Sequence, residues 1–223
     1  MWRIVGGVLL TTGLAGAAGC GAKASSSTPS AAGLSAAVLS GSEVPAGFLP
    51  AENQRVFEGM RPVDRDCARL LALADVETPR DIPGVEDENV PQASAAFYRP
   101  GPAASLVEHV FRLPPGRAAR HVAETRRAAL RCPRIEIRLT QGDLRLPRVN
   151  SRKVRALRDA LALRYARERA GLDVVMAAVG NDLLVVAGAG TYGGRVGPRV
   201  TEQVAIKALR KLRAVHAGKI HVP

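Results

Sequence analysis

The sequence predicts an α+β fold, an antiparallel β-sheet covered on one side by helices and held by one disulfide. Three observations point there. Alternating or short apolar segments are joined by turn chemistry rather than by helical crossovers. Longer stretches with apolar residues at helical spacing fall between the groups of strands. Two cysteines, Cys67 and Cys132, sit on or beside the first two of the long helical stretches.

Along the chain, residues 34–39 form a short helical piece, and Val44-Pro45-Ala46-Gly47-Phe48 is a turn. Residues 66–75 read as a helix with Leu70, Leu71 and Leu73 on its apolar side. Residues 76–92 are rich in proline and acid and read as a loop. The period then changes to that of strands, at 93–99 and 105–113, with Val107, His109, Phe111 and Leu113 on one face of the second. Pro100-Gly101-Pro102 between them has hairpin chemistry.

A helix over 116–131 follows Pro114-Pro115, with Ala118, Val122, Ala129 and Leu130 inward and arginines outward. Residues 134–139 alternate Ile135, Ile137 and Leu139 against Arg134, Glu136 and Arg138, a half-buried strand. Residues 160–167 alternate through Leu161, Leu163 and Tyr165. Apolar runs at 172–179 and 182–187 flank Gly180-Asn181, a tight hairpin signal. Gly197-Pro198 opens a last helix over 198–215, because proline suits the first helical position. Its stripe is Val200, Val204, Ala208, Leu212 and Val215.

The start of the chain speaks to location. Arg3 supplies a positive start, an apolar stretch follows, and small residues lead to Ala17-Ala18-Gly19-Cys20. That is the pattern of a secretory signal over residues 1–19. Small residues before a cysteine resemble a bacterial lipobox, with Ala17 where leucine is usual, so Cys20 is expected to carry an acyl-glycerol anchor. Residues 20–33 are Ser-, Ala- and Pro-rich and read as a flexible tether. One extracytoplasmic domain is expected over 34–216. With Cys20 acylated, Cys67 and Cys132 remain as an even pair in an oxidising compartment, where a bridge is expected.

Basic residues outnumber acidic ones by 32 to 20, a formal net charge of +12. Such a surface attracts phosphate-rich partners. Export argues against nucleic acid as that partner. It leaves the membrane, reached through the lipid anchor, and a small molecule, lipid or cell-wall ligand, with an envelope protein as a further possible partner.

The order of these features resembles a known group. It runs from a lipobox leader and Ser-rich tether through Leu49-Pro50, Asp66-Cys67 and Arg131-Cys132-Pro133. It ends in the hairpin Val174-Val175 to Val185-Val186 and a closing amphipathic helix. This is similar to actinobacterial lipoproteins that resemble the extracellular sensor domain of PknH-type serine/threonine kinases. The resemblance implies an extracytoplasmic α+β domain with a ligand cleft. That kinase domain carries two disulfides, whereas this chain can form one within the domain.

Motifs for chemistry are few. Gly188-Ala189-Gly190-Thr191-Tyr192-Gly193 matches G-x-G-x-x-G, but it follows a hairpin arm and no second parallel strand comes after it. It reads as a Gly-rich strand-to-helix loop. His109, His121, His216 and His221 stand apart, without an H-E-x-x-H or C-x-x-C pattern, so no metal site is expected. Asp81, Glu86, Asp87 and Glu88 lack EF-hand spacing and read as a solvated acidic loop. Arg117, Arg120, Arg126, Arg127 and Arg131 read as a water-facing helix side that could also hold an anion. There is no G-x-S-x-G elbow. The expectation is a ligand-binding or sensor-like module without catalytic residues or cofactor. The alternatives are an assembly module working through the basic face and an envelope hydrolase.

Overall fold

A computed structural model describes residues 31–52, 54–139, 142–149, 155–191 and 199–220 of the chain. In chain order these residues form α1 (Ala31–Ser35), β1 (Leu49–Pro50), α2 (Arg65–Ala74), β2 (Gln92–Pro100), β3 (Ala103–Arg112) and α3 (Arg117–Arg131). Then come β4 (Arg134–Leu139), β5 (Gly142–Pro147), β6 (Leu161–Arg167), β7 (Ala170–Val179), β8 (Asp182–Thr191) and α4 (Val200–His216). The main sheet runs β1-β2-β3-β8-β7-β6, every neighbour antiparallel, and β4 and β5 make a separate hairpin. The α+β class and the antiparallel sheet are as the sequence predicts.

Two turns fix the register of the long strands. Gly180 adopts φ 59°, a left-handed conformation that side-chain-bearing residues rarely adopt, so β7 reverses tightly into β8 with Val179 opposite Asp182. Gly101-Pro102, a cis peptide, turns β2 into β3 with Pro100 opposite Ala103.

Helices cover both faces of the sheet, not one. Leu172, Val174 and Met176 of β7 with Leu183, Val185 and Ala187 of β8 face a core closed by α2 and α3. The intervening Val175, Ala177, Leu184 and Val186 face a second core closed by α1 and α4. The continuous apolar runs of β7 and β8 are the cause, since a strand buried on both sides has no polar face to alternate with. The arrangement has three layers.

The α2–α3 layer is covalently closed. Cys67 and Cys132 form the expected disulfide, with sulfurs 2.08 Å apart. Asp64 caps α2, its Oδ1 accepting from the Cys67 amide at 2.9 Å. The Tyr165 hydroxyl of β6 donates to the Cys132 carbonyl at 2.7 Å, tying the bridge to the sheet. On the opposite face α4 presents Val200, Val204, Ala208, Leu212 and Val215 to the core, the stripe read from its spacing. Its opening residues Gly197-Pro198 lie outside the described residues.

Two local expectations are corrected. Leu130 is 70% exposed, not inward. The buried stripe of α3 is Ala118, His121, Val122, Thr125, Ala128 and Ala129, and Leu130 lies a further 100° round the helix. Gly188 and Gly190 belong to β8 rather than to a loop. A Cβ on Gly188 would meet Thr201 and Leu106, and one on Gly190 (φ 148°) would meet the backbone at Ala103 and Ala104. These glycines let α4 and β3 approach closely. Tyr192 and Gly193 lie outside the described residues.

Candidate functional site

The open part of the molecule is its β2 margin. β1 covers only Phe97 and Tyr98 of β2, and Ala51 N–H adds one hydrogen bond to the Ala96 carbonyl at 2.9 Å. Ser94, Ala95 and Ala96 consequently border two clefts, one on each face of the sheet.

Pleating decides what each cleft contains. Ser94 is opposite His109 and Ala96 opposite Val107, so these four side chains share the face toward α2 and α3. They floor a cleft of about 280 Å³ whose walls are Gln54, Arg55, Glu77 and Thr78. Gln54 Nε2 donates to Ser105 Oγ at 3.0 Å, and Arg55 pairs with Glu77. Thr78 is held in turn by Asp81, whose Oδ2 accepts from the Thr78 amide at 2.8 Å and hydroxyl at 3.0 Å. The His109 ring stacks on Phe111 at 5.9 Å. Burial lowers its pKa against the opposing pull of Glu77 and Asp81, favouring a neutral imidazole. Ser94 and His109 face each other in register, yet no hydrogen bond joins them. The cleft on the other face, about 460 Å³ and shallower, is floored by Ala95 and Phe97 and walled by Leu39, Gly41 and Pro50.

Two sites on β3, each built around a buried carboxylate, escaped sequence reading. Glu108, between Val107 and His109 in β3, points to the α1–α4 face and is 1% exposed. Its Oε2 accepts from the Leu39 amide at 2.8 Å, while Oε1 has no hydrogen-bond partner among the described residues. Burial pushes this carboxyl up to about 7, against the lowering effects of the Leu39 N–H and Lys211. Lys211 Nζ donates to the Val38 carbonyl at 2.8 Å and to Glu43 Oε2 at 2.6 Å. At the far end of β3, Arg112 donates through Nε and Nη2 to both oxygens of fully buried Asp182, each at 2.8 Å. His216 Nε2 is 2.7 Å from Asp182 Oδ2. Apolar neighbours in the sequence hid both sites, because their partners lie 69 and 70 residues away.

The other sequence candidates are scattered. Cys20 and His221 lie outside the described residues. The buried His121 ring donates from Nε2 to the Leu73 carbonyl at 2.9 Å, joining α3 to α2. Burial lowers its pKa. The acidic segment satisfies itself: Asp81 bonds Thr78, Asp87 accepts from the Asn89 amide and Glu88 pairs with Arg80. Arg117 donates to the Pro83 carbonyl at 3.1 Å, and Arg131 to Asp66 at 3.0 Å, while Arg120, Arg126 and Arg127 stay exposed on α3. Among the described residues no helix is long and apolar enough to cross a membrane.

No protein-family model and no curated protein matches the chain. Among solved structures, the fold is similar to the extracellular domain of PknH from Mycobacterium tuberculosis. The TM-score is 0.59 at 14% identity, covering 81% of this chain and 94% of that one. An uncharacterised protein from Mycobacterium smegmatis aligns with a TM-score of 0.38 at 14% identity, over 78% and 93% of the two chains. The first likeness establishes a shared fold, the one the sequence resemblance implies.

Proposed function

We propose that this chain is a non-catalytic, extracytoplasmic ligand-binding or sensor-like module, held to the membrane by a lipid on Cys20. The single observation that carries the ligand is the cleft beside β2, where Gln54, Thr78, Ser94 and His109 converge from separate segments around about 280 Å³. A few polar groups around a small apolar floor is the usual make-up of a ligand pocket. The neutral His109 imidazole offers one donor and one acceptor without charge. The fold shared with an extracellular kinase domain and the Cys67–Cys132 bridge support placement outside the cytoplasm.

The test is thermal denaturation of the full chain with lysophospholipids and peptidoglycan fragments. A ligand at a hundredfold excess over its Kd stabilises by about 2.7 kcal/mol, a shift of several degrees. That shift is expected to vanish in His109→Ala. A panel without any shift, or a shift that survives this substitution, refutes the cleft as the binding site.

A further inference from the structure

We propose that the outer side of the α2–α3 pair is a docking face for an anionic phospholipid bilayer, which goes beyond the cleft and the lipid anchor. The two helices run antiparallel, since Cys67 is bonded to Cys132 at one end and Leu73 to His121 at the other. By those two contacts exposed Arg69 of α2 lies level with the Arg126–Arg127 turn of α3, exposed Arg65 lies toward the Cys132 end, and exposed Arg120 lies toward the Leu73 end.

The acids here are largely occupied. Asp64 caps α2, Asp66 takes Arg131, and Glu124 lies 4.0 Å from Arg127. Arg65, Arg69, Arg120 and Arg126 have no ion pair among the described residues. A guanidinium presents paired donors that fit phosphate oxygens. An anionic leaflet attracts such clusters as a sum over charges.

Leu130 decides between a membrane and a soluble polyanion. It is 70% exposed and follows Arg126 and Arg127 by one helical turn. An apolar side chain one turn from two arginines has no counterpart on a hydrated polymer, but it can enter the headgroup–acyl boundary while the cations stay at phosphate level. Docked in this way, the α1–α4 face is turned away from the lipid.

The experiment is co-sedimentation of the full chain carrying Cys20→Ser, so that no acyl group contributes. The vesicles are phosphatidylcholine alone or with 30 mol% phosphatidylglycerol. The expected result is stronger binding to the anionic vesicles that fades at 0.5 M salt. Arg120→Gln/Arg126→Gln/Arg127→Gln is expected to lower that binding roughly a hundredfold. Leu130→Ser is expected to lower it severalfold while leaving binding to inorganic polyphosphate unchanged. Circular dichroism confirms folding of each variant. Equal binding to both vesicle types, a triple variant that binds like its parent, or Leu130→Ser acting alike on vesicles and polyphosphate would each overturn the proposal.

Discussion

The two helical layers hold the same sheet by different chemistry. On one face α2 and α3 are joined by the Cys67–Cys132 bond and by the His121–Leu73 hydrogen bond. On the other, α1 and α4 have no covalent link. The segment after α1 is bonded to β3 through the Leu39 amide on buried Glu108, and to α4 through Lys211, which reaches Val38 and Glu43. The lesson is that redox conditions act through one layer alone, which also carries an acid-sensitive group in His121, while Glu108 makes the other layer sensitive to pH toward neutrality.

The comparison breaks most sharply at the disulfide. Cys67→Ala/Cys132→Ala opens a loop with a sequence separation of 65, a loss of about 4 kcal/mol by the chain-entropy model. Urea denaturation should show that loss. Hydrogen exchange should show the amides of α2 and α3 opening before those of α4; uniform opening would mean that the bond serves both layers equally. Next in size is the opposite layer. Leu212 of α4 is fully buried, and Leu212→Ala should cost about 3 kcal/mol while leaving exchange in α2 and α3 nearly unchanged.

The smallest effect sharpens the pH half. Glu108 is raised from 4.5 to about 7, so the folded chain holds its proton more tightly than the unfolded chain. That contribution is complete below about 4.5, fades as pH rises toward 7, and is gone above it. Glu43 opposes it: burial pushes its pKa up, but hydrogen bonds from Lys211 and Ser40 leave it lowered, so its own contribution is lost in acid. Glu108→Gln keeps an acceptor for Leu39 and should make the chain more stable than its parent by about 2 kcal/mol at pH 8.5, with the difference gone by pH 4.5. A pH-independent difference would assign the effect to packing alone.

How much was legible follows the range of the interactions. β2, β3, β6, β7, β8, α3 and α4 announce themselves because each carries its own period or turn, as in Val200 to Val215 or Gly180-Asn181. β5 went unassigned although Leu144 and Leu146 alternate with charges, because the segment is short and gains its order by pairing with β4. β1, with two residues, exists only through β2. The double-sided cover was written in the unbroken apolar runs of β7 and β8, which alternation alone does not reveal. His109 was visible as one member of a strand face, but its cleft was not. Gln54, Glu77 and Ser94 reach it from segments whose proximity is decided by the fold.

The joint between β3 and β8 sets how such a sheet assembles. β2–β3 and β6–β7–β8 are each built from adjacent hairpins, whereas Arg112 and Asp182, partners across the joint, are 70 residues apart. Local hairpins close quickly, and a contact of that separation must first pay the entropy of a long loop. The β3–β8 pairing is therefore the long-range step of this sheet, and the ribbons on either side of it are its local parts. The bidentate Arg112–Asp182 pair, one partner on each side of that joint, favours the register in which these two residues stand opposite each other.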